Sequence, residues 1–303
     1  MNNLVLSIVI PVHNGLNYTK NCIKSLINNL EQDLYSRPKV EIVVIDDGST
    51  DGTSGWLKDE YPMVHVLRGS GDLWWSGGIN KGVYFALNEL KSDYILWWNN
   101  DILPAENYFH ELFQIIEKSQ PGVLIGSKIF VLDQDNLIWG MGGRFNPKNG
   151  DRFMYGEMQP DNNLFQKPFE VDWFPGMGTA IHKSVFETIG FLDEKNFPQY
   201  HGDSDYTFRA RKAGFKLIAF NQLRIKNDNT NTGIKHQGSL KYLYQSLTGI
   251  KSNYNIKKDF LFFKKHATSP IAYKQLFHKY FRYIGGFLKW SILGVIGIHR
   301  KVN

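Results

Sequence analysis

Apolar runs and polar breaks alternate regularly along the first hundred residues. Residues 4–10 are almost wholly apolar and end at Pro11, where Val12, His13, Asn14 and Gly15 form a loop. A short run without polar alternation predicts a strand buried on both faces, as in a parallel sheet. Over residues 18–30 the spacing turns helical, with Cys22, Ile23, Leu26, Ile27 and Leu30 on one face and Asn17 as a candidate cap. Residues 40–45 predict a second buried strand, broken by the acidic, hydroxyl-rich run 46–53. A helix carrying Trp56 and Leu57 follows, with Asp51 or Thr53 to cap it. Residues 63–67 predict a short strand, 79–90 a helix, and 94–98 a buried aromatic strand that stops at Asn99, Asn100 and Asp101. A β-α-β-α-β-α-β order implies an α/β fold with a doubly wound, mostly parallel sheet and right-handed crossovers.

The second half is less regular. Residues 122–131 predict another strand. Residues 133–170 are rich in Asn, Asp, Gly and Pro and predict hairpins and loops around 137–141 and 152–154, an insertion over the active face. Residues 172–178 predict a strand ending in the tight turn Pro175, Gly176, Met177, Gly178. A short helix over 206–213, with Arg209, Arg211 and Lys212 near its end and Gly214 as its stop, places Asp203 and Asp205 at its N-terminus. From 240 onward the chain is helical, basic and aromatic. The expected organisation is a catalytic domain over 1–239 and an extension over 240–303.

Composition narrows the field. The chain has 303 residues, 42% hydrophobic and 21% charged, which suits a globular protein with a sizeable core. Trp occurs in adjacent pairs, Trp74–Trp75 and Trp97–Trp98, serving either core packing or ring stacking. A single cysteine, Cys22, excludes a disulfide framework and a cysteine metal site. Residues 1–6 show no basic leader, and no stretch reaches the roughly 20 apolar residues of a membrane span. The expected location is cytoplasmic. The net charge of +6 comes largely from late lysines and arginines. Arg282, Lys289, Arg300 and Lys301 around Trp290 suit a helix lying in the inner face of the cell membrane; a docking helix or dimer contact is the alternative.

The strand ends carry the candidate chemistry. In open α/β sheets ligands bind outside the carboxyl ends of the strands. Asp101 there can hold a divalent cation, and the cation a diphosphate, although Asn-Asn-Asp is also turn chemistry. Asp46, followed by Asp47 and Gly48, can accept hydrogen bonds from a ribose or base, or can serve only to cap a helix. Five glycines between 69 and 82 imply close backbone approach. Asp203 or Asp205, at a helix N-terminus that favours negative charge, suits a general base; capping alone is the alternative.

Taken in order, residues 7–14, 43–53, 77–82, 96–102, 176–193 and 202–214 resemble the inverting glycosyltransferases of family 2 over roughly residues 4 to 240. Within it they look like the bacterial rhamnosyl- and galactofuranosyl-transferring kind. The resemblance implies a nucleotide-diphospho-sugar-binding fold of the glycosyltransferase A type. It implies a donor site made of Pro11, His13, Asn14, Asp46, Asp47, Gly48, Gly71, Asp72, Trp75, Gly77, Gly78, Asn80, Asn99, Asn100 and Asp101. Trp74, Pro175, Gly176, Met177, Gly178 and His201 would face sugar and acceptor, and Asp203, or else Asp205, would be the base. Asp101 and His236 would hold Mg or Mn. Asn99 stands where the family's D-x-D motif has its first carboxylate, which removes a charge from the cation site. The implied partners are a UDP- or dTDP-type sugar donor and a saccharide or lipid-linked saccharide acceptor, in bacterial surface polysaccharide synthesis, with no nucleic acid. A nucleotidyltransferase would need a basic phosphate loop that residues 11–15 lack. A catalytically inactive sugar- or lipid-binding scaffold is the rival outside catalysis.

Overall fold

The structure is a computed structural model that describes residues 4–32, 38–228 and 239–295. It forms two compact units. Among the described residues the first comprises 4–32, 38–144, 153–198 and 202–228, and the second 145–152, 199–201 and 239–295.

The first unit begins with β1 (Val5–Val12), α1 (Leu16–Glu31), β2 (Lys39–Asp46), α2 (Thr53–Glu60), β3 (His65–Arg68), α3 (Trp74–Asn88) and β4 (Tyr94–Trp97). The chain continues through β5 (Ile102–Pro104), α4 (Tyr108–Lys118), β6 (Val123–Val131), β7 (Gln134–Gly140), β8 (Gly143–Phe145), β9 (Arg152–Met154), β10 (Gln159–Pro160) and β11 (Phe169–Glu170), with Phe145 of β8 and Arg152 of β9 already in the second unit. The first unit closes with β12 (Thr179–His182), α5 (Lys183–Ile189), α6 (Gly202–Lys212) and β13 (Lys216–Asn227). The main sheet runs β10-β7-β6-β12-β4-β1-β2-β3, with β13 paired to β6, β5 and β11. It is parallel through β4, β1, β2 and β3 and mixed beyond them.

Strand alternation supplies both faces of the sheet. Leu6, Ile8 and Ile10 of β1, with Ile42 and Val44 of β2, pack with Cys22, Ile23 and Leu26 of α1. Val9, Val43 and Ile45 pack on the opposite face with Ile79, Val83 and Ala86 of α3. That two-sided burial is what a doubly wound sheet requires.

Four expectations change. The first strand does not end at Pro11, which pairs with Ile45. Leu4 and Val12 carbonyls accept from β2, and Val5 and Val9 carbonyls accept from the β4 side, so odd positions face β4. The last β1–β4 pair is Val9 with Trp97, so the N–H that proline lacks would face a neighbour that has already ended.

Helix α3 begins at Trp74, not Ile79, and takes Gly77, Gly78 and Gly82 into its body. A Cβ on Gly82 would lie 2.4 Å from Val9 Cγ1 and 2.6 Å from Ile45 Cδ1, and one on Gly78 2.9 Å from Pro11 Cβ. These glycines bring helix and sheet together and do not form a loop. Asn17 does not cap α1; the Asp51 carboxylate accepts from Leu16 N at 2.8 Å, from across the sheet end. Residues 172–178 form no strand beyond one bridge, Gly143 with Trp173, and the strand follows the turn as β12.

Cys22 is buried, and its thiol donates to Asn99 O at 3.6 Å. Burial pushes it far above the usual thiol range.

The second unit contains α7 (Leu240–Thr248), α8 (Ile256–His266) and α9 (Ala272–Val295). Phe145 packs edge-on against Phe262 and Phe263 of α8. Segment 199–201 also belongs to this unit. The His201 ring is tied at both nitrogens, to Arg152 Nη1 at 2.9 Å and to Asp259 Oδ1 at 2.7 Å. Arginine can only donate, so Nδ1 accepts and Nε2 carries the proton given to Asp259.

Candidate active site

The candidate residues His13, Asn14, Asp46, Asp47 and Gly48 of the first unit lie at or just beyond the carboxyl ends of β1 and β2, and local chemistry explains each position. Asp46 Oδ1 accepts from Ser49 N at 2.9 Å and Oδ2 from Ser54 Oγ. Asp47 Oδ1 accepts from Gly71 N at 2.7 Å and Oδ2 from Trp74 N at 3.1 Å. Both are buried. The pair therefore shapes two loops, with Asp47 holding the start of α3. Gly48 and Gly71 both have positive φ, and a Cβ on Gly48 would sit 3.0 Å from Gly71 Cα; only glycine permits that contact. His13 Nδ1–H donates to Asp47 O at 2.6 Å, and its Nε2 accepts from the Asn14 amide at 3.1 Å. Asn14 in turn bonds Ser49 and Thr50. Asp72 is exposed and accepts from Ser70 Oγ.

Beyond β4 the circumstances differ. Asp101 is half-buried as a residue, yet its Oδ1 is sealed from solvent and has no hydrogen-bond partner. Burial pushes this carboxyl up to about 6, and the nearby charge of Asp228 adds to the shift. Asn99 Oδ1 accepts from Trp75 Nε1–H at 2.9 Å. The Trp75 ring stands edge-on to Trp97 and fills the place of a side chain at Gly176, where a Cβ would fall 2.1 Å from Trp75 Cζ2. Gly176 N donates to Asp203 Oδ2 at 2.9 Å. A connected path thus runs from the end of β4, through Trp75 and the Pro175–Gly178 turn, to Asp203. Gly178 has φ +64 and its N donates to Trp97 O at 2.9 Å, pinning that turn to β4. Met177 is buried beside it.

The two carboxylates of α6 separate. Asp205 is fully buried and pairs with Arg209 Nε at 3.0 Å, while the same guanidinium reaches Ile189 O and Phe191 O. Asp203 stays partly exposed in the first turn and also accepts from Ser204 N at 2.7 Å.

Several expected residues are committed elsewhere. Asn80 bonds Leu192 and Glu194, because it lies inside α3 and faces that segment. The Asn100 amide is spent on Thr19 Oγ1 at 3.1 Å. His201 belongs to the second unit, and burial pushes it down to about 4. Trp97 and Trp98 are wholly buried and offer no stacking surface. His236 lies outside the described residues.

Asp228 was not singled out in the sequence. The signal was present: β13 is a long strand that ends at Asn227, just before Asp228, the same strand-end logic that points to Asp101.

Among the described residues no group of three His, Cys, Asp or Glu is placed to hold a metal. The residues present nevertheless fit a divalent cation. A sealed, unpartnered carboxylate oxygen needs a ligand, and Mg is usually held by one or two carboxylates plus substrate phosphates.

Known proteins similar to this chain include two glycosyltransferases and a solved structure. An uncharacterized glycosyltransferase of Rickettsia typhi is 24% identical over 98% of this chain and 92% of its own length. A low-salt glycan biosynthesis hexosyltransferase of Haloferax volcanii is 27% identical over 61% of this chain and 59% of its own. A crystal structure of GalNAc-T7 with UDP, GalNAc and Mn2+ superposes with a TM-score of 0.57 at 16% identity, covering 90% of this chain and 56% of that one. The last likeness shows the fold, a glycosyltransferase A-type doubly wound sheet. Residues 7–190 match the model of glycosyl transferase family 2. With more than half of its length matched, this chain belongs to that family and is a glycosyltransferase.

Proposed function

We propose that the protein is an inverting glycosyltransferase that moves a sugar from a nucleoside-diphosphate donor to an acceptor hydroxyl in the synthesis of a surface polysaccharide. The carrying observation is the contact path from Asn99 through Trp75 and Gly176 to Asp203, which joins the strand end bearing Asp101 to a carboxylate at a helix N-terminus. The Haloferax relative, a glycan-building hexosyltransferase, supports the pathway class. A rhamnosyl or galactofuranosyl donor rests on the sequence resemblance.

In this reading Asp203 accepts the proton of the acceptor hydroxyl. The acceptor oxygen forms a bond to the anomeric carbon, and the bond from that carbon to the diphosphate breaks, its electron pair leaving with the nucleoside diphosphate. One displacement from the opposite face inverts the anomeric centre. Asp101 would hold a divalent cation, which when bound neutralises the leaving diphosphate. Gly176 N and Ser204 N orient Asp203, while Asp205 and Arg209 anchor the helix that carries it.

Asp203→Asn is expected to lower kcat by about 10² to 10⁴ while the donor still raises the melting temperature as in the wild type. A kcat within a few fold of wild type would remove Asp203 from the proton transfer. Retention of anomeric configuration in the product, read by NMR, would sink the single displacement.

Among the described residues no helix is long and apolar enough to cross a membrane. We propose that α9 instead rests on an anionic bilayer surface. Phe277 and Phe281 are 73% and 79% exposed, and Leu288 shares their face. Exposed Lys274, Arg282 and Lys289 flank that face, and α9 has no acidic residue. Phosphatidylglycerol vesicles are expected to bind the protein, phosphatidylcholine vesicles to bind it weakly, and Phe277→Ser with Phe281→Ser to release it. Equal binding by the double variant would dismiss the surface.

A further inference from the structure

We propose that Asp228 supplies a second carboxylate to the cation site of Asp101, replacing the charge that Asn99 does not carry. The inference rests on the reading above, which places a cation at Asp101.

The argument is one of strand register. β13 and β5 are antiparallel, with Asn227 opposite Ile102. Extending that ladder by one residue sets Asp228 opposite Asp101, and Asp228 N does donate to Asp101 O at 3.0 Å. Directly opposed residues of an antiparallel pair project to the same face with Cβ atoms roughly 4.5 to 5.5 Å apart. The two carboxyl groups are therefore near neighbours although 127 positions separate them in sequence (228 minus 101).

Like charges in that relation destabilise a sheet. Among the described residues Asp101 is met only by an Asn99 side-chain hydrogen bond and a backbone N–H, with no cation beside it, and its Oδ1 is sealed and unpartnered. A cation between the pair removes the repulsion and satisfies the orphaned oxygen together. The chemistry matches a small, hard divalent ion, for which one or two carboxylates suffice when substrate phosphates and waters complete the shell. A third protein ligand is then unnecessary.

Asn99 cannot serve in place of Asp228. Its side-chain oxygen already accepts from Trp75 Nε1–H, and an amide brings no charge. The carboxylate that the D-x-D pattern would place two residues before Asp101 is thus provided from a different strand.

The test is Mn2+ binding to the full-length protein, followed by electron paramagnetic resonance of the free ion, with and without UDP. Circular dichroism and melting in chelator check the fold of each variant. Asp228→Asn is expected to weaken Mn2+ binding by about tenfold or more without lowering the melting temperature in chelator. Adding Asn99→Asp to that variant is expected to recover part of the affinity, because a carboxylate then returns to the neighbourhood of Asp101. If Asp101→Asn abolishes binding while Asp228→Asn leaves the affinity within twofold, the role of Asp228 is overturned and the reading of Asp101 stands. If the wild type binds no Mn2+ even with UDP, the cation at Asp101 falls, and the inference with it.

Discussion

Asp101 beyond the end of β4 and Asp259 on α8 each hold carboxylate oxygen away from water, yet their surroundings are opposite. Asp259 Oδ1 accepts from His201 Nε2–H, and Oδ2 accepts from Tyr280 OH at 2.6 Å and from Lys279 Nζ. Burial opposes its charge, but the His201 bond and the Lys279 ammonium outweigh burial and hold the carboxyl well below the usual carboxylate range. Asp101 has a sealed oxygen with no partner, and burial pushes it the other way. A carboxylate whose bonds are all made within the chain serves architecture. Asp101, with one oxygen left short, is the carboxylate to test for a ligand that arrives from outside.

The comparison can be broken by removing each charge in turn. Asp101→Asn is expected to have the largest effect on function, lowering turnover on the order of a thousandfold by losing stabilisation of the diphosphate. It is also expected to abolish the Mn2+-dependent rise in melting temperature. In chelator its melting temperature should not fall, since burial and the nearby Asp228 charge outweigh the hydrogen bonds that Asp101 receives. A lower melting temperature in chelator would mean that Asp101 is structural after all.

Asp259→Ala is expected to do the reverse. It strips the partner from His201, Lys279 and Tyr280, and breaking a buried pair from one side costs about 3 to 5 kcal/mol. Urea unfolding followed by tryptophan fluorescence would read that loss, and Mn2+ affinity should remain that of the wild type. An unchanged unfolding midpoint would overturn the architectural role.

A smaller effect sharpens the same contrast through pH. His201 is faced by Arg152 from β9, by Asp259 from α8 and, beyond that carboxylate, by Lys279 and Tyr280 from α9. Burial lowers it to about 4 from the usual 6.5. A histidine kept neutral in the folded state contributes stability in full above its unfolded pKa. That contribution is lost as pH falls from 6.5 toward 4, where the unfolded chain binds the proton first. The melting temperature is therefore expected to decline across that window, and His201→Gln, which can still donate to Asp259, should flatten the decline. A slope identical to wild type in that variant would assign the titration to another group.

The sequence made the nucleotide half of the fold legible because its strands are buried on both faces and so read as unbroken apolar runs. It also singled out Asp101 and Asp203 as candidates, since each sits beside the end or start of a regular element. What it concealed were commitments to distant partners. The amide of Asn80 looked available beside a glycine-rich stretch but is consumed by Leu192 and Glu194, 112 and 114 positions away. His201 looked like a site residue because it adjoins Asp203, yet both ring nitrogens are spent within the helical unit. The glycines of α3 read as a loop because local propensity cannot register a helix pressed against Val9 and Ile45. Asp228 was hidden for a related reason: its place opposite Asp101 comes from strand register, which composition does not encode.

The sealed thiol of Cys22 has a practical consequence. Thiol chemistry needs an accessible thiolate, and the chain's only cysteine is buried, with its thiol bonded to Asn99 O. The native protein is thus a silent background for site-directed labelling. Tyr84 lies on the outer side of α3 and is 61% exposed, so Tyr84→Cys would carry a lone spin label. A paramagnetic ion held at the end of β4 would then announce itself by broadening that label's spectrum, with no turnover required.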